Sequence, residues 1–333
     1  MNDVAATRGP FYMHKLMLKA ENQSYRLDRE TGRLRIPIRG TEGMQLHLPL
    51  SEWHRSFLSD PSRNLGSLTI VPSKIILVVR KEAPTQYEPE TAIALDTNED
   101  SLDGVVASGE GMISTVLAFD GVRRIQGTHF RRRRRFAKKK AGDRRVMRRM
   151  LNHEGRRERN RIAQRLHRVS SRLVQFAKGS AAAIVLENLT LHGAGGRSRR
   201  MNRRLSSWPR REIHRQIEYK AALEGVPVVK VNPAWTSKTC PVCGARRRDR
   251  VGKVFVCLMC DWEMDRQINA GLNILKTALA SNEALARAVR FQPGALRHDV
   301  VSPLYELPRG GAGAREEPSG VESRTGVVSS PYL

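Results

Sequence analysis

Apolar and polar positions alternate at a period of two through much of residues 11–91. Arg33-Leu-Arg-Ile-Pro-Ile, Gln45-Leu-His-Leu-Pro-Leu, Leu68-Thr-Ile-Val-Pro and Lys74-Ile-Ile-Leu-Val-Val-Arg read as short strands punctuated by Pro and Gly, which predicts a small β-barrel or open sheet. From Thr91 onward the pattern changes. Thr91-Ala-Ile-Ala-Leu-Asp, the segments around Val105 and from Met112 to Phe119, Ala182-Ala-Ile-Val-Leu-Glu and Pro227-Val-Val-Lys-Val are apolar runs of strand length. Ile162, Leu166, Val169, Leu173 and Phe176 recur at a 4-3-4-3 spacing, one stripe of a long helix. Further helices are predicted from about Pro209 to Leu223 and from Ile268 to Leu279. Beyond Pro293 the chain turns to Gly, Pro, Ser and Glu and periodicity stops, so a disordered tail is expected.

Three leading strands followed by alternating helix and strand is the order of a ribonuclease H-like α/β sheet. The chain of 333 residues is 40% hydrophobic, enough for a real core and for about two domains, so wholesale disorder is excluded. The apolar runs stop far short of the roughly 18 residues of a membrane span, and the N-terminus lacks the features of a signal peptide. A cytoplasmic protein with no membrane partner is expected.

Charge sharpens this picture. The net charge is +26, which calls for a polyanionic partner, nucleic acid ahead of an acidic membrane surface. Aromatic residues are only 5%, too few for a base-stacking sheet, so contact should run through phosphates. Most of the excess lies between Arg123 and Lys178, where 22 Lys and Arg face three acids. Arg131, Arg132, Arg133, Arg134 and Arg135, then Arg156, Arg157, Arg161 and Arg165, are the candidate nucleic-acid contacts. A helix with so few neutralising carboxylates repels itself unless a polyanion lies along it. A second basic run, Arg197 to Arg215, carries eight arginines and one acid and follows His192-Gly-Ala-Gly-Gly, a flexible break.

Two acids close apolar strands, Asp96 in Ile93-Ala-Leu-Asp and Glu187 in Ile184-Val-Leu-Glu. At the C-terminal end of a central strand an acid projects into the region where open α/β folds build their sites. Either acid alone could cap a turn, but two in one basic chain point to a Mg²⁺ site for phosphodiester chemistry, since hard divalent cations prefer carboxylate oxygen. A third acid would complete a metal pair. Asp265 is the candidate, and the same residue is equally an N-cap for the helix that follows.

The four cysteines form two C-x-x-C pairs, Cys240 with Cys243 and Cys257 with Cys260. This spacing is that of a zinc ribbon, in which two tight knuckles close a tetrahedron of sulfur. Four thiolates leave no open position, so the zinc would be structural. Arg246-Arg-Arg-Asp-Arg in the tip loop is either a nucleic-acid contact or a solvated loop.

Asn232-Pro-Ala-Trp-Thr-Ser-Lys-Thr-Cys-Pro-Val-Cys-Gly, the second C-x-x-C and Asp-Arg-x-x-Asn-Ala-x-x-Asn-Ile resemble the C-terminal module of the TnpB (OrfB) family encoded in insertion sequences. Arg156-Arg-Glu-Arg-Asn-Arg-Ile through His167 and Ile184-Val-Leu-Glu-Asn-Leu look like the family's central region, so the resemblance covers roughly residues 30 to 280. It implies a transposon-associated RNA-guided DNA endonuclease, related to type V CRISPR effectors, with guide RNA and target double-stranded DNA as partners. It also implies this division: 1–91, a β-rich wedge-like region, shortened because the helical recognition lobe is missing; 92–290, an RNase H-like (RuvC) domain with an Arg-rich insertion at 123–178 and a zinc ribbon at 236–264; 291–333, a disordered tail. Asp96 and Glu187 match the first two catalytic acids. The third position of the family pattern is occupied here by Gln267, with Asp265 two residues upstream. Either Asp265 supplies the charge from a shifted place, or the chain is a nuclease-dead RNA-guided DNA-binding protein or repressor.

Overall fold

The computed structural model describes residues 17–38, 42–72, 74–138, 143–188, 198–246 and 252–297. The expected break at His192, most of the Arg246 tip loop and the tail beyond 297 lie outside the described residues.

The N-terminal region contains two three-stranded sheets. One has the order β1 (Leu18–Ala20), β5 (Arg63–Val71), β6 (Lys74–Lys81), and the other β2 (Arg26–Leu27), β3 (Arg33–Ile36), β4 (Met44–His47). All pairs are antiparallel, so alternate residues face one core of Ala20, Tyr25, Leu34, Ile36 and Leu68. A helix, α1 (Glu52–Ser59), interrupts the strands where the sequence pattern predicts none. Its cause is local: the Ser51 side chain accepts from the His54 backbone N–H while His54 reaches back to the Ser51 N–H, a capping box.

The larger region is built on a six-stranded sheet. Its strands are β7 (Thr91–Thr97), β8 (Ser101–Ala107), β9 (Met112–Ala118), β10 (Ala182–Glu187), β11 (Val228–Val231) and β14 (Leu296–Arg297), in the spatial order β11-β10-β7-β8-β9-β14. The first three form an antiparallel meander, while β10 and β11 join in parallel beside β7. Between them run α2 (Val122–Lys138), α3 (Arg144–Gly179), α4 (Arg199–Ser207) and α5 (Arg210–Glu224); after them come the hairpin β12 (Val254–Val256) and β13 (Glu263–Asp265), then α6 (Arg266–Ser281) and α7 (Glu283–Ala288). One expectation is corrected here. Residues 291–297, placed in the tail on composition, return to the sheet: Leu296 is buried and β14 pairs with β9. A two-residue edge strand has no periodicity for a sequence reading to detect.

The two faces of the sheet differ in side-chain size. Ile93, Leu95, Leu102, Leu117, Ile184 and Leu186 pack beneath α3 and α5, meeting Leu166 and Leu173 of the predicted stripe. The other face carries Ala92, Ala94, Val105, Ala107, Ala183 and Val185, which let α6 lie close. The closest point is glycine on backbone. A Cβ on Gly271 would sit 2.5 Å from Gly104 Cα, and one on Gly104 would sit 1.9 Å from Ala94 O. Both positions therefore exclude any side chain, and the start of α6 is held down over the sheet.

Candidate metal and nucleic-acid sites

Strand register brings the first site together. Asp96 of β7 and Asp103 of β8 are direct cross-strand partners, and Glu187 follows Leu186, whose partner is Leu95, so it aligns with Asp96 across β10 and β7. Parity puts all three on the α6 face, with Ala94, Val105 and Val185. At a strand spacing of about 4.8 Å, three carboxylates thus form a row roughly 10 Å long between backbone positions. Asp103 is a member of this row that sequence reasoning missed. The signal was available: Asp96 and Asp103 are symmetric about the turn at Glu99-Asp100, so pairing one hairpin correctly places them opposite each other.

The row is electrostatically strained. Burial first, then the Glu187 and Asp103 carboxylates, push the Asp96 carboxyl up to about 7, against the opposing pull of the Thr97 N–H and the Arg266 guanidinium. Burial also raises Asp103, against hydrogen bonds from Ser101 and Asn98, with the Asp265 and Asp100 charges adding to the rise. Glu187 is 5% exposed, and its Oε1 accepts a 2.5 Å hydrogen bond from Thr236 Oγ1. The donor chemistry is that of a hard divalent cation such as Mg²⁺, which would relieve the repulsion, although among the described residues only the four cysteines stand close enough together to enclose an ion.

Asp265 ends β13 and caps α6, accepting from the Gln267 backbone N–H at 2.8 Å. It is exposed but near enough to Asp103 to raise it. Gln267 is half-buried in the first turn of α6. The positive end of the helix dipole therefore lies on the same side as the acids.

The cysteines form the second site. The ligand atoms of Cys240, Cys243, Cys257 and Cys260 all lie within 4.8 Å of one another, with Cys240–Cys260 at 3.6 Å and Cys243–Cys257 at 3.5 Å. A zinc–sulfur bond of about 2.3 Å gives a tetrahedral edge of about 3.8 Å, so the cluster matches the size of one zinc ion. Both knuckles turn the same way. The residue after the second cysteine is left-handed in each, Gly244 at φ 78° and Asp261 at φ 53°. Gly was visible in the sequence, whereas Asp261 uses the tolerance of Asp for this region. Burial opposes ionisation of Cys257, yet the backbone N–H groups of Met259 and Cys260 overcome it and hold the thiol at about 7.

The two sites are joined through α6. Asn273 Nδ2 donates to the Thr236 and Thr239 carbonyls, Asn269 Nδ2 to the Thr239 carbonyl and Lys276 Nζ to the Pro241 carbonyl. Thr236, held in this way, reaches Glu187. The Asn-Ala-x-x-Asn run thus docks the cysteine hairpin against the acid row.

The arginine helices divide into two sets. Arg131, Arg134, Arg135, Arg156, Arg157 and Arg161 are exposed, while Arg132, Arg133 and Arg165 are half-buried. Arg133 pairs with Glu158, Arg132 lies 3.5 Å from Glu154, and Arg161 lies 3.5 Å from the fully buried His129. The contacts of Arg132 and Arg133, with His129 Nδ1 at 2.8 Å from Glu154 Oε1, join α2 to α3. Arg132 and Arg133 therefore serve the helix pair itself as well as its surface charge.

Comparison with known proteins agrees with the motif reading. Residues 211–274 match the model of the Cas12f1-like TNB domain. A TnpB-like protein of Methanocaldococcus jannaschii is 24% identical over 255 residues, covering 74% of this chain and 91% of its own length. A second from the same organism is 30% identical over 154 residues, covering 46% of this chain and 69% of that protein. The chain belongs to the TnpB-like family. A CRISPR-associated endodeoxyribonuclease Cas12f1 of Sulfoacidibacillus thermotolerans is 33% identical over 112 residues, which are 32% of this TnpB-like chain and 25% of the relative. The solved complex of Cas12f1 with single-guide RNA and target DNA aligns over 80% of this chain and 68% of that one, with a TM-score of 0.43 and 19% identity.

Proposed function

We propose that this TnpB-like chain is an RNA-guided, Mg²⁺-dependent DNA endonuclease encoded with a transposable element. The observation that carries the reading is the row of Glu187, Asp96 and Asp103 beneath the N-terminus of α6, in a family member with a +26 charge. Residues 92–290, with the returning edge strand at 296–297, then act as an RNase H-like (RuvC) domain, supported by the antiparallel meander followed by parallel strands. The cysteines act as a structural zinc ribbon, supported by their spacing and mutual distances. Membership of a family with relatives named endodeoxyribonucleases points the same way.

In this reading Asp96 and Glu187 hold the divalent cation, and Thr236 fixes the Glu187 carboxylate by donating to Oε1. When bound, Mg²⁺ supplies charge stabilisation for the reacting phosphate and lowers the pKa of a bound water. The exposed arginines of α2 and α3 grip guide RNA and the RNA–DNA duplex through phosphates, so pairing and not side-chain contact reads the sequence. Asp265 stays at the cap of α6, and its charge bears on the row through Asp103.

The test is purification with bound RNA, followed by cleavage of a plasmid carrying the RNA's complement in Mg²⁺. Asp96→Ala is expected to lose cutting by about 10³-fold or more while retaining the RNA. A second reading, a nuclease-dead RNA-guided binder or repressor, is favoured by Gln267, whose amide cannot neutralise a second cation. Equal inertness of the wild type and Asp96→Ala, with RNA retained by both, selects that reading.

A further inference from the structure

We propose that Asp103 is a cation-binding carboxylate of the acid row, supplying beside Asp96 the negative charge that Gln267 does not. This rests on the reading of Asp96 and Glu187 as a divalent-cation site and extends it to a residue outside the motif positions.

Three observations carry it. The first is position: Asp103 is the direct antiparallel partner of Asp96, on the same face, so their side chains begin about 5 Å apart. The second is burial without full use. Asp103 is 2% exposed, and both of its donors, Asn98 Nδ2 and Ser101 Oγ, bind the same oxygen, Oδ2, at 2.6 Å. Oδ1 accepts no hydrogen bond among the described residues. A carboxylate that only stapled the turn at 98–101 would need Oδ2 alone; Oδ1, which is not a fully buried orphan, is left open to a ligand. The third is the helix overhead. Gly271 rests on Gly104, the residue after Asp103, and Gln267 precedes Gly271 by one turn, about 6 Å along the axis. Asp103 therefore approaches from the sheet the region that Gln267 approaches from the helix. A side chain on the strand is also held more rigidly than the exposed cap Asp265, which already spends Oδ1 on the Gln267 N–H.

The probe is Mn²⁺, whose free-ion signal by electron paramagnetic resonance falls on binding, titrated into the full zinc-loaded chain after bound nucleic acid has been stripped. Asp103→Asn keeps the side-chain shape and an acceptor for Ser101, and the melting temperature of its zinc-loaded form without added Mn²⁺ is the folding control. Weakening of Mn²⁺ affinity by fivefold or more, with zinc content unchanged, is expected. A smaller loss, while Asp96→Asn abolishes binding, would make Asp103 a turn staple and overturn the proposal. If Asp96→Asn also leaves Mn²⁺ binding intact, the cation site itself is lost, a distinct failure. Should Asp103→Asn not fold, Gln267→Asp in the otherwise intact chain carries the test. With Asp103 already supplying the charge, Mn²⁺ affinity should rise less than threefold, and a larger gain would locate the missing charge at 267 and overturn the assignment.

Discussion

The cysteine cluster and the carboxylate row are both sets of ligands that repel one another once ionised, and α6 touches the structure around each. They differ in how the chain assembles them. The sulfurs come from two short knuckles between Cys240 and Cys260, each closed by its own hydrogen bonds, Gly244 N–H to Cys240 O in one and Cys257 N–H to Trp262 O in the other. The carboxylates come from three strands between Asp96 and Glu187 and meet only because the sheet has one register. A site of the first kind depends on its metal to hold the local fold. A site of the second kind is held by the sheet and can carry charges that repel one another without any metal.

That contrast predicts opposite responses to metal removal, and the cysteine side should show the larger effect. Cys257→Ser, or zinc chelation of the wild type, is expected to take zinc from about one per chain to none and to open the hairpin Val254–Asp265 to proteolysis, since structural zinc contributes about 10 kcal/mol or more in small modules. Removing Mg²⁺ should leave the proteolytic pattern unchanged. Zinc metal analysis and limited digestion decide it, and an intact hairpin without zinc would remove the distinction between the two sites.

The same contrast explains what could be read before the fold was known. The zinc reading needed only spacing, because everything that shapes the knuckles lies within a few residues. Asp96 and Glu187 were legible as strand ends, since the apolar runs before them mark central strands. Asp103 was legible only at one remove, because an acid inside Ser101-Leu-Asp-Gly-Val-Val becomes a site residue only once the hairpin turn at Glu99-Asp100 is placed and sets it opposite Asp96. Asn269 and Asn273 stood in a recognised motif, but their task of holding the Thr236 and Thr239 carbonyls depends on how α6 meets the hairpin. The helix α1 was hidden in a region of strand periodicity, and β14 was too short to show any period.

A change in how α6 lies on the sheet should separate the two sites. Gly271→Val puts a branched side chain where even a Cβ comes within 2.5 Å of backbone, and backbone cannot move aside as a side-chain tip can. The expected cost is about 3 kcal/mol, seen as a melting temperature lowered by roughly 6–12 °C. The acid row loses its overhead helix in this variant, so cutting should fall, while zinc content stays at the wild-type value because no cysteine contact is touched. Loss of zinc together with cutting would mean that the two sites fold as one unit.

The smallest change separates the two roles open to Asp265. As the N-cap of α6 it satisfies the Gln267 N–H, and its replacement by Ala should cost about 1 kcal/mol, a melting shift of roughly 2–4 °C. As a cation ligand it would cost far more in cutting than in stability. With the carboxylate charge coming from Asp96, Glu187 and Asp103, Asp265→Ala should lower stability by that amount and leave Mn²⁺ affinity within threefold of the wild type. A loss of affinity as large as that of Asp96→Asn would instead make the first turn of α6 part of the cation site, and the acids would then be assembled by helix and sheet together and not by the register of the sheet alone.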